Sequence, residues 1–358
     1  MIKDEHLYYI GGMVRDEFLQ IPSLDIDLCY EGNAIEFAKS FNIIKKNAQL
    51  GTVRVLFDNK KIDIASTRTE CYPRSGHLPV VETLGCSLKE DLKRRDFTIN
   101  AMAKNTLNGE LVDYFNGLED LKNKTLRILH DNSFKDDPTR IIRGLKFAVR
   151  FGFKLDSQTQ KLQEQYLENI NYDISYHRLK KELKETFNLN KQIALDMFIN
   201  QKMYKLLSKN ANLPNISTNI QTLVNKYKPN QIWLVYLGLF DLSNLELSSK
   251  EQEILAQYQT IKDLKFNNDI DLYNAFKDLE LETLLLYAIS IDEACVVNYL
   301  ENLSKIKIYI TGNDLIKLGI KQGKIYKEIF NQITEEKILK NIDTKEDELN
   351  YIKTRFAI

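Results

Sequence analysis

The chain has 358 residues, which is too long for one compact core and sufficient for two to four domains. Hydrophobic residues make up 43% and charged residues 28%, as in ordinary globular proteins. Lys and Arg together number 50, as do Asp and Glu, so the whole molecule has no net charge with which to attract a polyanion. A nucleic-acid partner would therefore require local clustering of positive charge.

The cysteines, histidines and apolar segments exclude several classes of protein. Four scattered cysteines without C-x-x-C spacing exclude a disulfide framework and a zinc knuckle. The dipeptide His130-Asp131 lacks the further histidines that a metal-dependent phosphohydrolase needs, so we interpret it as chance. No basic-then-apolar leader occurs, and the apolar run 232–240 is about half of the roughly 18 residues that span a bilayer. We expect a cytoplasmic protein without membrane contact.

The first 125 residues alternate short strand-like runs with helices. Turn residues bound four predicted strands, and glycine-containing turns precede two predicted helices. The predicted strands are 8–10, 25–29, 52–57 and 61–65, and the predicted helices are 14–19 and 34–41. This alternation indicates a small α+β domain.

From residue 136 onward the apolar residues follow a helical period. Gly and Pro become sparse, and segments with a 3.6-residue period follow one another along the rest of the chain. The predicted helices are about 137–151, 158–170, 176–187, 191–207, 231–240, 250–264, 279–303 and 322–334. Segment 210–225, with Pro214 and several Asn, Ser and Thr residues, is the predicted linker. We predict that this part of the chain is all-helical.

The predicted strand 25–29 carries two carboxylates on one face. Successive side chains of a strand alternate between faces, so Asp25 and Asp27 project together while Ile26 enters the core. Two carboxylates about 7 Å apart can share divalent ions, and Mg²⁺ prefers such oxygen ligands. Asp63 completes a three-carboxylate site if its strand is a neighbour. Acidic residues on an exposed edge strand are common, so this pattern alone is weak.

A glycine pair lies just upstream of these acids, between a predicted strand and a predicted helix. Glycines let backbone N–H groups approach an anion closely, and a helix N-terminus contributes its positive end. Arg15 would add a charge-assisted contact to phosphate. A Gly-Gly turn by itself is common. Gly11, Gly12 and Arg15 followed by the carboxylate strand indicate a site for phosphate.

Four segments carry a resemblance to a known family. They are Gly-Gly-Met-Val-Arg-Asp at 11–16 with Asp-Ile-Asp at 25–27, Arg-Arg-Asp-Phe-Thr-Ile-Asn-Ala-Met at 94–102, Asp-Asp-Pro-Thr-Arg-Ile-Ile-Arg at 136–143, and Arg-Leu-Lys-Lys-Glu at 178–182. Together they resemble the motifs of the class II tRNA nucleotidyltransferases (CCA-adding enzymes) and the related bacterial poly(A) polymerases. The resemblance covers residues 8–182.

The resemblance implies an α+β N-terminal nucleotidyltransferase head with a small mixed sheet, followed by an all-α neck, body and tail. We accordingly divide the chain into a catalytic head at 1–125 and a helical neck at 126–190 that recognises the base. A helical body at 191–265 and a helical, tRNA-binding tail at 266–358 complete the predicted organisation.

The segment 94–102 places guanidinium groups beside an acid and an amide. The ordinary interpretation is an exposed ion pair at the start of a helix. The resemblance implies instead that Arg95, Asp96 and Asn100 bind the incoming nucleotide. In that role an aspartate accepts from the ribose 2′-hydroxyl, and the donors contact phosphate.

The predicted helix 137–151 has an apolar face and a basic face, and most such basic faces are simply solvated. By resemblance, Asp137 and Arg140 would read the base, while the later cations Arg143, Lys146 and Arg150 would bind the triphosphate. Cytosine and adenine each present an amine donor beside an unprotonated ring nitrogen, which an Asp/Arg pair can match; guanine and uracil present the opposite polarity. Lys146 and Asp136 stand where the family usually has arginine and glutamate.

Two further segments have predicted roles around this helix. Arg178 and Glu182 are four residues apart, so they can pair along one helix face and brace the site, with Ser175 as the predicted N-cap. Segment 67–82 contains two prolines and a glycine and is predicted to be a mobile loop. In the family, a loop at this place helps to change specificity from C to A.

The resemblance implies template-independent addition of CCA to the tRNA 3′ end from CTP and ATP. Asp25, Asp27 and Asp63 would be catalytic, with Mg²⁺ held by Asp25 and Asp27. The implied partners are the 3′ end and acceptor arm of tRNA, CTP and ATP; no protein partner is indicated. The alternatives are a CC-adding or A-adding enzyme, a bacterial poly(A) polymerase and, in a different class, an inactive RNA-binding module.

Overall fold

The computed structural model describes residues 2–22 and 26–356. The chain divides into two compact units, Met1–Leu213 with Phe240–Glu246 and Pro214–Leu239 with Leu247–Ile358. The finer subdivision into head, neck, body and tail stays a prediction. In the described ranges, no helix is both long enough and apolar enough to cross a membrane.

The first unit contains a seven-stranded mixed sheet. The strands of the described chain are β1 (Leu7–Ile10), β2 (Asp27–Tyr30), β3 (Asn42–Asn47), β4 (Thr52–Phe57), β5 (Lys60–Ser66), β6 (Arg68–Cys71), β7 (Val80–Leu84), β8 (Ala103–Asn105), β9 (Leu111–Val112), β10 (Thr125–Leu126) and β11 (Lys154–Leu155). The sheet order is β3-β4-β5-β2-β1-β8-β9, with β2 and β5 parallel and the other neighbours antiparallel. The predicted α+β head with a small mixed sheet is confirmed.

Alternation of side chains along β4 and β5 gives this sheet one buried and one exposed face. Arg54 and Asp63 lie on the exposed face. The apolar residues on either side of each point into the core, and they are Val53, Val55, Ile62 and Ile64. The same period places the exposed Asp27 beside the buried Leu28 in β2. The sheet therefore presents charged groups on the face that its core does not use.

Each predicted helical segment contains a helix, and the structure also has helices that the sequence pattern did not predict. The helices of the first unit are α1 (Gly12–Phe18), α2 (Ala34–Phe37), α3 (Leu88–Lys93), α4 (Gly117–Lys122), α5 (Ser133–Asp136), α6 (Thr139–Phe151), α7 (Ser157–Glu168), α8 (Tyr176–Phe187) and α9 (Gln192–Asn200). Those of the second are α10 (Ile220–Tyr227), α11 (Ile232–Leu237), α12 (Ser249–Ile261), α13 (Asp269–Phe276), α14 (Leu281–Ser290), α15 (Glu293–Glu301), α16 (Gly312–Lys317), α17 (Lys324–Ile338) and α18 (Lys345–Arg355).

Several predicted boundaries were wrong. The predicted linker 210–225 contains the start of α10, whose N-cap Asn219 accepts a hydrogen bond from the Thr222 N–H. The predicted helix 279–303 is two helices, because Asp292 caps the start of α15. The β10–β11 pair adds a short parallel strand pair next to the helices. Capping side chains, which helical periodicity does not register, account for the first two differences.

Helix α6 packs against the head through aromatic side chains. The Phe97 ring meets the Phe147 ring edge-on, with 5.9 Å between their centroids. Gly144 lies under Phe97, where a Cβ atom would stand 3.1 Å from the Phe97 ring. α6 also packs against α8 and α9. These contacts hold the basic side of α6 over the glycine turn that follows β1.

Candidate nucleotide site

A cavity of about 540 Å³ lies in the first unit between the glycine turn and helices α6 and α8. This volume suits a ligand of nucleotide size. Nine of its lining residues are Arg or Lys and five are Asp or Glu, so the described walls carry an excess of positive charge. All the predicted nucleotide-binding residues line it, namely Gly11, Gly12, Arg15, Arg95, Asp96, Asn100, Asp137, Arg140, Arg143 and Lys146.

The glycine turn lets the chain pass close to an arginine. Gly11 has φ 62°, a left-handed conformation that favours glycine, and it precedes the first residue of α1. A Cβ atom on Gly11 would stand 3.0 Å from Arg95 Nη1. A larger residue would therefore strain the backbone and crowd the guanidinium that lines the cavity.

Arg15 is buried and already engaged with protein groups. Its guanidinium donates to Asp16 at 2.7 and 2.9 Å and to Asn100 Oδ1 at 2.5 Å. It also lies over the rings of Phe147 and Phe151, 5.2 and 5.0 Å from their centroids. The phosphate contact predicted for Arg15 would have to share or replace one of these hydrogen bonds.

Asp27 and Asp63 are neighbours across the sheet. They lie opposite each other in the parallel β2–β5 pairing, so the neighbouring strands that the sequence hypothesis required are present. Asp27 is exposed and lines the cavity, whereas Asp63 is held by Arg54 through hydrogen bonds of 2.6 and 2.7 Å. Asp25, the other predicted metal ligand, lies outside the described residues.

Carboxylate oxygens suit a hard divalent cation, so the donors present at this strand fit the predicted Mg²⁺. Within residues 2–22 and 26–356, however, no three acidic, histidine or cysteine side chains are grouped closely enough to hold a metal ion. The described part of the site therefore supplies Asp27, with Asp63 beside it in register.

Asp96 is the centre of a buried hydrogen-bond network. One carboxylate oxygen accepts from the Phe97 N–H at 2.8 Å and from Asn100 Nδ2 at 2.9 Å, and the other accepts twice from Arg143 at 2.5 and 2.8 Å. Burial alone would raise the pKa of Asp96, but Arg143 and these donors outweigh it and hold the pKa well below its ordinary value. Asp96 therefore stays ionised in the fold.

Arg94 and Arg95 share the buried carboxylate of Asp91. Arg94 donates to Asp91 at 2.8 Å and to Glu70 at 3.1 Å, and Arg95 donates to Asp91 at 3.1 Å. Arg95 Nε is buried and has no hydrogen-bond partner among the described groups. Arg95 is thus held in place by one end of its guanidinium while it lines the cavity.

Asp137 and Arg140, the predicted base readers, are both buried. Helix α6 begins at Thr139, so Asp137 precedes it in an extended conformation and accepts from the Thr139 N–H and hydroxyl. Arg140 donates to Ser133 Oγ at 2.7 Å and to the Arg94 carbonyl at 2.8 Å. These contacts fix the direction of both side chains before any ligand binds.

The predicted pair between Arg178 and Glu182 was wrong. Arg178 donates to Asp137, and Glu182 accepts from Arg143 at 3.2 Å and from Lys146 at 2.6 Å. Side chains four residues apart can pair within a helix, but here each reaches a different residue outside α8. The motif thus contacts the segment that is predicted to read the base. Ser175 occupies the N-cap position without the predicted side-chain hydrogen bond.

The predicted loop 67–82 also needs correction. Strand β6 and the start of β7 lie in this segment, and the two strands pair antiparallel. Its turn is attached to the segment before α8, because Arg74 and His77 both bind Asp173. Arg178 also donates to the His77 carbonyl at 3.3 Å. The prolines and glycine that suggested a loop lie in the turn between the two strands.

Several cavity-lining residues were not among the predicted site residues, including Arg68, Glu70, Tyr72 and Phe147. Arg150, which the sequence placed on the basic face of the helix after Lys146, also lines the cavity. No sequence pattern predicted a role for Tyr72, since its position depends on the β6–β7 pairing.

Comparisons with known proteins place these features in a family context. Residues 7–127 match the family model of the poly(A) polymerase head domain. The chain is 30% identical to an A-adding tRNA nucleotidyltransferase of Halalkalibacterium halodurans, covering 98% of this chain and 89% of that protein. It is 33% identical to an A-adding tRNA nucleotidyltransferase of Aquifex aeolicus, covering 92% of this chain but 44% of that longer protein.

Among solved structures, the Thermotoga maritima CCA-adding enzyme complexed with tRNA is similar over almost the whole chain. The TM-score is 0.76 at 25% identity, and the match covers 98% of this chain and 91% of that one. The similarity therefore extends through both compact units and beyond the head.

Proposed function

The chain belongs to the family of tRNA nucleotidyltransferases and poly(A) polymerases, and we propose that it completes the 3′ end of tRNA by adding the terminal adenosine from ATP. The observation that carries this proposal is the cavity that brings the glycine turn, Asp27 and the Asp137/Arg140 pair together. One wall can hold phosphates, one can carry metal ligands, and one can read a base edge. A template-independent polymerase needs these three elements in one place.

The fuller activity predicted from the sequence, CCA addition from CTP and ATP, is part of this proposal. Asp137 accepts and Arg140 donates, and this polarity suits the pairing edges of both cytosine and adenine. The similarity to the Thermotoga maritima CCA-adding enzyme supports the same activity. The acceptor arm of tRNA, CTP and ATP are then the proposed partners.

Addition of adenosine alone is a second candidate. It is favoured by the similarity over 98% of the chain to an A-adding enzyme. The base-reading pair cannot separate the two activities, because cytosine and adenine present the same donor and acceptor pattern to Asp137 and Arg140. The two activities therefore have to be distinguished by the tRNA 3′ end that the protein extends.

The proposed metal is Mg²⁺, held by Asp25 and Asp27, with Asp63 next to Asp27 as the third carboxylate. When bound, such ions polarise the attacking hydroxyl and offset the charge that develops on the phosphates. The protein's own groups do the remaining work. Arg143, Lys146 and Arg95 attract the triphosphate, and Asp137 and Arg140 orient the base, so that the α-phosphate faces the RNA 3′-hydroxyl.

Three tRNA transcripts test the proposal: one that lacks CCA, one that ends in CC and one that ends in CCA. Each is incubated with CTP, ATP or both in the presence of Mg²⁺, and the products are sequenced. CCA addition predicts extension of the first two and no growth of the third. Extension of the CC transcript alone supports the A-adding candidate. A long adenosine tail on all three would show a poly(A) polymerase, and no product on any would refute the proposed function.

The cytoplasmic location expected from the sequence stays a prediction. Fractionation of cells that produce the tagged protein would test it. Recovery with the membrane pellet after a high-salt wash would contradict it.

A further inference from the structure

The strands around Asp27 align four charged side chains across the sheet. Asp27 lies opposite Asp63 in the β2–β5 pairing, and Asp63 lies opposite Arg54 in the β4–β5 pairing. Arg54 in turn lies opposite Lys45 in the β3–β4 pairing. Directly opposite residues on neighbouring strands project from the same face of a sheet. We call this alignment of Lys45, Arg54, Asp63 and Asp27 the charge row.

The charge row runs from the predicted metal site to the edge of the sheet. Neighbouring strands are about 4.8 Å apart, so the backbone of Arg54 lies roughly 10 Å from that of Asp27, and the backbone of Lys45 roughly 14 Å. All six residues of β3, the edge strand, are exposed. A hollow beside the row is lined by Lys45, Arg54 and Asp63. The two cations are therefore open to a ligand that also reaches Asp27.

Arg54 is held in an arrangement that a phosphate can imitate. It binds both oxygens of Asp63, at 2.7 and 2.6 Å, and the two side chains are 46% and 54% exposed. Exposed ion pairs stabilise a protein by only about 0–1 kcal/mol, so exchange of partner costs little. Phosphate oxygens offer the guanidinium the same two-point contact as a carboxylate.

Protection of the sheet edge is the ordinary explanation for exposed lysines on an edge strand, because charge there prevents pairing with another chain. That explanation accounts for Lys45. It does not account for Arg54, which lies on the second strand, is not at the edge, and is directed along the charge row toward Asp63.

We propose that Arg54 and Lys45 bind the backbone phosphates next to the 3′ end of the acceptor RNA. The RNA strand would follow the charge row from the edge of the sheet, which brings its terminal hydroxyl to Asp27. On binding, Arg54 exchanges the carboxylate of Asp63 for a phosphate and leaves Asp63 free beside Asp27. This inference rests on the proposed function and assigns a positioning surface for the acceptor that is separate from the nucleotide cavity.

Steady-state kinetics of Arg54→Ala and Lys45→Ala, with the tRNA that the wild-type protein extends, test the inference. We expect the KM for tRNA to rise about tenfold in Arg54→Ala and less in Lys45→Ala, while the KM for ATP stays unchanged. Each lost phosphate contact should also lower the slope of log KM for tRNA against log salt concentration by about 0.7, the value for single strands. A merely structural role would not change this slope.

Two variants serve as controls. Arg54→Lys keeps one positive charge and should keep most of the salt dependence while losing the two-point contact. Lys122→Ala removes an exposed lysine from α4, outside the sheet, and should match the wild-type protein. Melting curves establish that each variant is folded. Because Lys45 lies on an exposed edge strand, Lys45→Ala should fold. It therefore still tests the inference if Arg54→Ala does not fold.

Three results would overturn the inference. They are an unchanged KM for tRNA in both alanine variants, an unchanged salt slope, and a rise in the KM for ATP, which would assign Arg54 to the nucleotide. Failure of the proposed function is recognised separately, because the wild-type protein would then extend no tRNA. In that case, binding of labelled tRNA to wild-type and variant proteins still tests whether the charge row holds RNA.

Discussion

Two Arg–Asp pairs in the same unit have hydrogen bonds of similar length and very different surroundings. Arg143 binds Asp96 at 2.5 and 2.8 Å where the aspartate side chain is 7% exposed, and Arg54 binds Asp63 at 2.6 and 2.7 Å where both side chains are about half exposed. Water competes with the second pair and is excluded from Asp96. The first pair therefore holds the cavity in shape, whereas the second can change partner.

The same distinction separates the two parts of the proposed catalytic machinery. Around Asp96 and Asp137, protein donors already occupy the carboxylates, so the cavity is organised before a nucleotide enters. Around Asp27 and Asp63, the carboxylates are exposed. Positions that recognise a base gain from rigidity, and positions that take up ions and RNA gain from accessibility. Four substitutions test this distinction between the buried and the exposed carboxylates.

The largest expected effect is on the exposed side. Asp27→Ala should lower nucleotide incorporation by about a thousandfold, equivalent to roughly 4 kcal/mol of barrier, because it removes a ligand of the proposed Mg²⁺. Binding of ATP should largely survive, since most of the cavity that holds it is built from other residues. Incorporation of labelled nucleotide and equilibrium binding of ATP are the two measurements. Glu110→Ala, at another exposed acid of the head, is the control; an active Asp27→Ala would refute the metal assignment.

The second expected effect is on base choice. Asp137→Ala should reduce discrimination against UTP and GTP by about tenfold to a hundredfold, because a hydrogen bond in a desolvated site contributes roughly 1–3 kcal/mol. Incorporation of each of the four nucleotides is the measurement. Asp137→Asn is the matched variant, since its amide group presents a donor to the base amine and should impair ATP use. Unchanged selectivity in both would show that Asp137 does not read the base.

The third substitution tests the buried pair. Asp96→Asn should lower the free energy of unfolding by about 3 kcal/mol at neutral pH, because it leaves Arg143 without its main counter-charge. Denaturant unfolding monitored by circular dichroism measures the change. Asp63→Asn is the comparison on the exposed side and should change stability by less than about 1 kcal/mol. Equal effects of the two substitutions would contradict the distinction between the pairs.

The same pair predicts a pH dependence. The pKa of Asp96 is lowered in the fold, so below about pH 4 the unfolded chain binds a proton that the folded chain does not. The stabilisation by Asp96 is therefore fully present above that pH and is lost progressively as the pH falls further. The difference in stability between wild type and Asp96→Asn should narrow as the pH is lowered from 5 to about 3. A difference that widens on acidification would contradict this sign.

The smallest expected effect is at the exposed contact of the β6–β7 turn. Arg74 and Asp173 are 63% and 49% exposed, so Arg74→Ala should leave the melting temperature almost unchanged. The hydrogen bonds of the turn to its neighbours would remain, including that from the Ser175 N–H to the Gly76 carbonyl. Thermal unfolding measures the effect. A large loss of stability would mean that the exposure of an ion pair does not predict how much it stabilises this protein.

Local pattern predicted much of the fold. Alternation in Thr52–Phe57 and the helical period of Tyr176–Phe187 placed both elements at their observed bounds. The β6–β7 pair was missed because Pro73, Gly76 and Pro79 dominate the pattern of that segment, although they occupy only its turn. Pairing between strands is a tertiary property that the residues of one segment do not express.

The candidate site shows the same limit. The ten residues predicted to bind the nucleotide line one cavity, and Asp27 and Asp63 lie on neighbouring strands, while the roles of these residues stay predictions. The partner of Arg178 could not be predicted, because spacing along α8 favours Glu182 whereas the packing of α8 brings Asp137 within reach. The sequence also did not predict the role proposed for Arg54 in binding the acceptor RNA. That role follows from the register of β4 and β5, which no short motif encodes.

The parallel pairing of β2 and β5 has a consequence for how the protein acquires activity during synthesis. Parallel strands require a crossover connection, so Asp27 and Asp63 come together only after the intervening residues, including β3 and β4, have been made and folded. Non-local pairing of this kind forms late, since loop closure costs entropy before the contact is gained. A growing chain therefore carries the Asp-Ile-Asp motif long before the proposed metal site is complete.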